Sequence, residues 1–361
     1  MPDTFKNLLV KIGKKNKNKQ NEYVQKNKEI FKIISSYLIN MNKHKLSIIP
    51  YSEDQLYFDY GSYAVIFKGT YRLDSGKYID IVFKAGNVGI APEFRVSRNI
   101  YGKTTDFVLD YFEIREDSEI NSLKMLLKIA VFRYFDFNWK KDTINFITVE
   151  SEKLLYYKVF ESLAQIHKAN YIHRDLSLGN ICFRLVDIDK KQKVKEGLSV
   201  DITEKDCCVR IIDLGTALPI EGDAKTDGIT QTNIGTAIYW STGYYNNEVF
   251  YYKDDLEALI YCCWDYYNKC HSINNIALES TLPWLNASDL NNMYKIKKQI
   301  LDSIVGLHDL KYYEHDRKVI IIANYTIPVF IIRLLQYCMT LVKNEKPNYN
   351  QIYQIIKEAA L

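Results

Sequence analysis

Glycine and proline are scarce, at 15 and 7 of 361 residues. That excludes collagen-like, elastic and Pro-rich linker classes. The seven cysteines, at 182, 207, 208, 262, 263, 270 and 338, include no C-x-x-C pair. An odd, irregularly spaced set points to reduced thiols and an intracellular protein, cytoplasmic or nuclear. Without paired Cys/His spacing, a structural zinc site is excluded as well. Long apolar runs are also missing. The most apolar stretch, Val319 to Leu335, is interrupted by Asn324, Pro328 and Arg333. It falls short of the roughly 18 consecutive apolar residues a spanning helix needs. The start, Met1-Pro2-Asp3, carries no apolar run like a signal peptide. A soluble protein with no membrane partner is therefore expected.

What is present is an ordinary globular balance, 47% hydrophobic and 25% charged, with 29 Tyr and 16 Phe. Wholesale disorder is excluded. The length suits two or three packed units, or one large two-lobed unit. The net charge of +4 is uneven. Residues 1–45 hold 11 Lys against 3 acids, whereas the rest holds 37 basic and 41 acidic residues. A basic arm of this kind is either a solvated tail or a contact for nucleic acid, acidic lipid or an import receptor. Nucleic acid enters the expectation only through this arm, and the protein is expected to be a monomer.

Residues 1–20 read as a basic mobile tail, and 21–50 as a helical extension whose apolar residues recur at helical spacing from Glu22 to Leu38. The remaining 51–361 divides into a small β-rich lobe, about 51–136, and a larger helical lobe, about 137–361. In the first, Gln55–Tyr60, Ala64–Leu73, Lys77–Lys84, Phe107–Ile114 and Lys124–Phe135 predict five strands, with a helix over Ala91–Tyr101. In the second, Ser151 is the expected cap of a helix over Glu152–Asn170. Strand pieces follow at Ile181–Val186 and Val209–Ile212, then helices from Asp254 onward. Residues 187–206 are polar and read as a surface insertion. Strands first and helices second make an α+β fold.

Three short motifs carry chemistry. The run His173-Arg174-Asp175-Leu176-Ser177-Leu178-Gly179-Asn180 places a carboxylate five residues before an amide, in a loop after a helix. Ile211-Ile212-Asp213 ends an apolar strand on a second carboxylate, and Ile81-Val82-Phe83-Lys84 ends another on a lysine. Phosphoryl transfer needs this set: a base for the acceptor hydroxyl, oxygens for a metal ion, and a cation for the phosphates.

The order Lys84, Asp175, Asn180, Asp213 resembles that of eukaryotic protein kinases. Gly235-Thr236-Ala237-Ile238-Tyr239-Trp240-Ser241, Asp254-Asp255-Leu256-Glu257, Leu282-Pro283-Trp284 and Glu345-Lys346-Pro347-Asn348-Tyr349 resemble segments of the casein kinase 1 and vaccinia-related kinase group. The resemblance covers about residues 55–358. It implies a bilobal protein-kinase fold that binds ATP between its lobes and transfers the γ-phosphate to Ser or Thr of a protein substrate, with Mg²⁺. It further implies Asp175 as base, Asn180 and Asp213 as magnesium ligands, and Lys84 on the α/β-phosphates with Glu93 as its partner. Gly61, Ser62 and Ala64 would belong to the phosphate loop, and Val65, Phe83 and the Ala130–Phe135 segment would line the adenine pocket. Asp255 would brace the catalytic loop, and His173 and Arg174 would be structural.

Three departures stand out. Asp59-Tyr60-Gly61-Ser62-Tyr63-Ala64 keeps only the middle glycine of G-x-G-x-x-G. Ser177 replaces a lysine common in Ser/Thr kinases, which leaves tyrosine specificity open. The insertion separates Asn180 from Asp213. The first two motivate an alternative, a pseudokinase that scaffolds a partner. A small-molecule kinase of the aminoglycoside/choline type shares the H-x-D-x-x-x-x-N loop but not the Gly235–Ser241 segment. Gly61 alone also reads as a hairpin glycine, Thr230 and Thr232 as ordinary loop hydroxyls, and Cys262, Cys263, Trp264 and Trp284 as core.

Overall fold

The computed structural model describes residues 32–38, 45–48, 59–60, 64–86, 89–102, 107–116, 125–220, 234–246, 250–271, 282–307, 319–322, 325–342, 345–359 and 361. The basic tail, most of the helical extension, the Gln55–Phe58 part of the first predicted strand, Gly61, Ser62, Thr230 and Thr232 lie outside them. The fold is mixed α and β with antiparallel sheets, consistent with α+β. The chain divides into two compact units, Met1–Tyr134 and Phe135–Leu361.

Unit 1 begins with helical residues 32–38 (α1), followed by β1 (Leu46–Ile48), β2 (Asp59–Tyr60), β3 (Val65–Arg72), β4 (Tyr78–Gly86), α2 (Ile90–Tyr101), β5 (Val108–Glu116) and β6 (Met125–Arg133). The sheet runs β1-β3-β4-β6-β5, with β2 also on β3. Among the described residues it therefore has six strands rather than the five expected. The extra strand, β1, is too short to show an alternation, and it pairs Leu46 with Tyr71.

Strand alternation sends successive side chains to opposite faces. On one face Phe67, Ile79, Ile81, Phe83, Ala85, Leu127, Ile129 and Val131 form the core that Ile34 and Leu38 of α1 cover. Gly69 lies in this layer because a Cβ there would sit 2.4 Å from the Ser47 carbonyl and 2.5 Å from the Phe83 ring. The other face meets α2, where Phe94 stacks on Tyr111 at 5.1 Å.

Unit 2 contains β7 (Phe137–Asn138), α3 (Val149–Lys168), β8 (Tyr171–Ile172), β9 (Ile181–Leu185), α4 (Ile188–Lys195), β10 (Cys207–Ile211), β11 (Leu218–Pro219), α5 (Tyr252–His271), α6 (Leu290–Val305), β12 (Val319–Ile322), β13 (Tyr325–Pro328), α7 (Val329–Thr340) and α8 (Tyr349–Glu358). Its core is the apolar stripe of α3 (Leu155, Tyr156, Val159, Phe160, Leu163, Ile166) with the buried faces of α5 and α7. Cys262, Cys263, Trp264 and Trp284 are buried there. The apolar stretch 319–335 forms β12, β13 and the start of α7. No helix among the described residues is long and apolar enough to cross a membrane.

Two local expectations are corrected. The α3 cap is Thr148, not Ser151; the Thr148 oxygen accepts from the Ser151 amide at 3.3 Å. Ser151 lies inside the first turn, and its hydroxyl bonds to Asp201. The 187–206 insertion is not purely surface loop. It carries α4, and it buries Val194, Val200 and Ile202. The Ile202 amide donates to Ser151 Oγ at 2.8 Å, so the insertion braces the start of α3.

Replacing Phe83 by Ala removes a fully buried ring from unit 1. A loss of about 3–5 kcal/mol is expected in denaturant unfolding. A loss under about 1 kcal/mol would contradict the core placement.

Candidate active site

In unit 1, Lys84 lies near the end of β4, on the face opposite Phe83. Its Nζ is 2.6 Å from Oε2 of Glu93, in the first turn of α2. Both side chains are largely buried, at 16% and 7% exposure, so little water screens the pair. The helix N-terminus adds a favourable positive potential at Glu93.

Register corrects two of the expected pocket residues. Directly paired antiparallel residues share a face. Val65 pairs with Ala85, whereas Ile66 pairs with Lys84. Val65 accordingly packs against the α1-side core, and Phe83 is fully buried within it. Apolar residues on the Lys84 face include Ile66, Val82, Ala130 and Phe132, because Ala130 pairs with Lys84 and Phe132 with Val82. Ala64, next to β3, is buried.

In unit 2, β8 leads from α3 into the loop His173–Asn180. Asp255 of α5 holds this loop from beneath. Its Oδ2 accepts from the His173 amide at 2.6 Å, and its Oδ1 from the Arg174 amide at 2.9 Å. His167 Nε2 lies 3.2 Å from Oδ2. Burial opposes the charge on Asp255, but the hydrogen bond and charge of His167 and the amide of His173 hold its carboxyl below the usual value. Burial pulls His167 down in spite of Asp255. The other ring nitrogen of His167 meets the Tyr349 hydroxyl at 2.7 Å, which ties α8 into the same network.

The His173 ring joins the two carboxylate-bearing segments. Its Nδ1 accepts from the Asp175 amide at 3.2 Å, and its Nε2 donates to the Ile212 carbonyl at 2.9 Å. The Ile212 amide donates to the Asn180 carbonyl at 2.8 Å. Arg174 donates from Nε to the Thr216 carbonyl at 2.7 Å, and Thr216 donates from its hydroxyl to the His173 carbonyl at 2.9 Å. Arg174 and Asp213 adopt left-handed backbone, with φ of 68° and 63°. Each such residue costs on the order of 1–3 kcal/mol, and it persists only where surrounding bonds over-determine it. The bonds just described do that at Arg174.

Asn180 donates from Nδ2 to the Asp175 carbonyl at 2.8 Å. Its amide oxygen is thereby the atom left to face a cation. The Asn180 amide and the Asp213 carboxylate offer oxygen donors, the kind a hard divalent ion takes together with phosphate or water oxygens. Among the described residues, no group of three or more His, Cys, Asp and Glu could hold a metal ion without such help.

Asp175 Oδ1 accepts from the Thr236 amide at 3.1 Å and from the Thr236 hydroxyl at 3.4 Å. Burial pushes the Asp175 carboxyl up, and the like charge of Asp213 adds to it, while His173 and Thr236 pull the other way. Gly235 makes this approach possible. Its φ is +81°, and a Cβ there would lie 2.8 Å from the Arg174 carbonyl and 3.1 Å from Asp175 Oδ1. Thr236, His167 and Tyr349 were not among the expected site residues. Thr236 and Tyr349 do stand within quoted motifs, and a polar His167 at the end of the apolar stripe of α3 is the signal for the third.

Residues 157–265 match the family model described as fungal protein kinase. That span contains Asp175, Asn180, Asp213, Gly235 and Asp255. This part of the chain is protein kinase-like. No curated protein matches the chain.

Gly235→Ala is expected to destabilise unit 2 by about 1–3 kcal/mol, through strain and the clash at Asp175. Thermal unfolding checks this, and an unchanged midpoint would contradict the close approach. Because the Asp255 carboxyl sits below its unfolded value, its stabilisation is complete above the ordinary carboxylate value of about 3.9. It is lost as pH falls through the lower, folded value. Asp255→Asn should flatten that acid limb of a stability-against-pH curve, and an identical limb in both proteins would refute the assignment.

Proposed function

We propose that the chain is a bilobal protein kinase of the casein kinase 1-like kind, transferring the γ-phosphate of ATP to Ser or Thr of a protein substrate. The observation that carries this reading is the Asp175, Asn180 and Asp213 constellation, lying inside the kinase-like span. In the proposal, Asp175 accepts the proton of the acceptor hydroxyl and orients it. Its raised proton affinity suits a general base better than a fully solvated carboxylate does. Asn180 and Asp213 hold Mg²⁺, which when bound shields the phosphate charge. Lys84, oriented by Glu93, contacts the α/β-phosphates. Ile66, Val82, Ala130 and Phe132 replace Val65 and Phe83 as the apolar lining for the base.

A second reading, a pseudokinase that binds a partner, draws on Ser177. The residue is 8% exposed, and it puts a small hydroxyl where kinases of this type carry a cation. Losing one such electrostatic contact slows transfer by about 10²–10³. Mg·ATP binding and autophosphorylation, measured for wild type and for Asp213→Ala, separate the two. Slow turnover that Asp213→Ala abolishes supports the kinase. Absence of turnover in both proteins supports the scaffold.

A further inference from the structure

The segment that presents Thr236 to Asp175 is held, residue by residue, from outside itself. The Ile238 carbonyl accepts from Trp284 Nε1 at 2.7 Å. The Tyr239 hydroxyl donates to Asp265 at 2.6 Å, and the Ser241 hydroxyl to Asp254 at 2.5 Å. Glu257 accepts from the Thr242 amide at 2.8 Å. Between them, the Trp240 carbonyl accepts from Lys297 Nζ of α6 at 2.5 Å.

Lys297 is an unusual choice for that place. It is fully buried, and a lysine is almost never buried without a partner. Its nitrogen sits 4.7 Å from the ring centre of Tyr261, 4.8 Å from that of Trp284 and 5.4 Å from that of Tyr245. No carboxylate forms an ion pair with it among the described residues, although the charge of Glu257 favours its protonated form. Burial pushes its proton affinity down to about 7. In either protonation state the nitrogen donates to the Trp240 carbonyl, and the ammonium adds attraction to the three ring faces.

We propose that Lys297 is a positioning residue for the Asp175 carboxylate, acting through the turn that its nitrogen clamps at Trp240. The connection is short. The Trp240 amide bonds to the Ala237 carbonyl at 3.2 Å, and the Tyr239 amide to the Thr236 carbonyl at 2.9 Å. Those two bonds close one 3₁₀ turn over Ala237–Tyr239. Thr236, at its start, then donates twice to Asp175. A carbonyl fixed at one end of the turn thus sets the donors at the other. Apolar packing alone would not fix the Trp240 carbonyl direction, whereas a buried donor does.

The catalytic part of this inference rests on the kinase reading, but the clamp does not. The test compares full-length wild type, Lys297→Met and Lys297→Arg. Hydrogen–deuterium exchange over residues 234–242 is expected to quicken in Lys297→Met and to return toward wild type in Lys297→Arg. Unchanged exchange in Lys297→Met would overturn the clamp, whatever the protein's activity. In the kinase assay, Lys297→Met should lower kcat about ten- to a hundred-fold, with KM for ATP unchanged. Lys297→Arg should recover most of the loss, because it retains the charge and the donors. Equal kcat per folded molecule in wild type and Lys297→Met would refute the positioning role. Should Lys297→Met fail to fold, Lys297→Arg decides: wild-type exchange and kcat support the clamp, and loss of both overturns it. If wild type itself shows no turnover, the kinase reading falls, and the exchange result still judges the clamp.

Discussion

Unit 2 depends on one buried carboxylate. Asp255 takes two backbone amides of the His173–Asp175 loop, together with the His167 ring, in a space that water does not reach. An unpaired charge there would cost several kcal/mol, so the loop amides and the carboxylate require one another. That mutual need is what makes a left-handed Arg174 tolerable. From this anchor the His173 ring reaches the Asp213 strand end, and Thr216 and Arg174 cross back. The segments that carry Asp175, Asn180 and Asp213 are tied to one another by hydrogen bonds to backbone groups, the Asn180 amide itself donating to the Asp175 carbonyl.

A simpler rule organises unit 1. An alternating strand must decide what each face is for. In β4 the residues Ile79, Ile81, Phe83 and Ala85 are committed to the α1-side core. That leaves Val82 and Lys84 on the α2 side, where Glu93 meets the lysine. The salt bridge therefore costs the core nothing, since the polar pair and the apolar layer occupy opposite sides of one sheet.

Much of this was legible in the chain itself. The runs Ala64–Leu73 and Lys77–Lys84, rich in β-branched and aromatic residues, marked β3 and β4 to within a residue or two, and the apolar stripe from Leu154 to Ile166 marked α3. The spacing Asp175 to Asn180, followed by Asp213 after an apolar strand, marked the candidate chemistry. What could not be read was anything set by register or by a partner far away. Val65 and Phe83 lie on the face opposite Lys84 although each neighbours a residue of the Lys84 face in sequence, and only the pairing of Ile66 with Lys84 reveals it. Ser151 is as good a capping residue as Thr148. Asp201, fifty residues on, takes the hydroxyls of both, and Ser151 differs in that its Oγ also accepts from the Ile202 amide. Strand β1 is three residues long and has no pattern of its own.

The insertion between β9 and β10 is two things joined end to end. Its later part, Val200–Ile202, is tied to the 145–151 segment: Val200 exchanges backbone bonds with Asn145 and Ile147, and Ile202 reaches Ser151. Its earlier part, α4 with the Glu196–Leu198 turn, exposes Ile188 at 77% and Leu198 at 51%. The turn after α4 touches the framework through Asn145, whose Nδ2 donates to the Gly197 carbonyl at 2.9 Å, so a change of length there puts that bond at stake, whereas Val200–Ile202 behave as a rivet. The same stretch of chain offers a more permissive address for a genetically encoded label and, within a few residues, a place where no label will be tolerated.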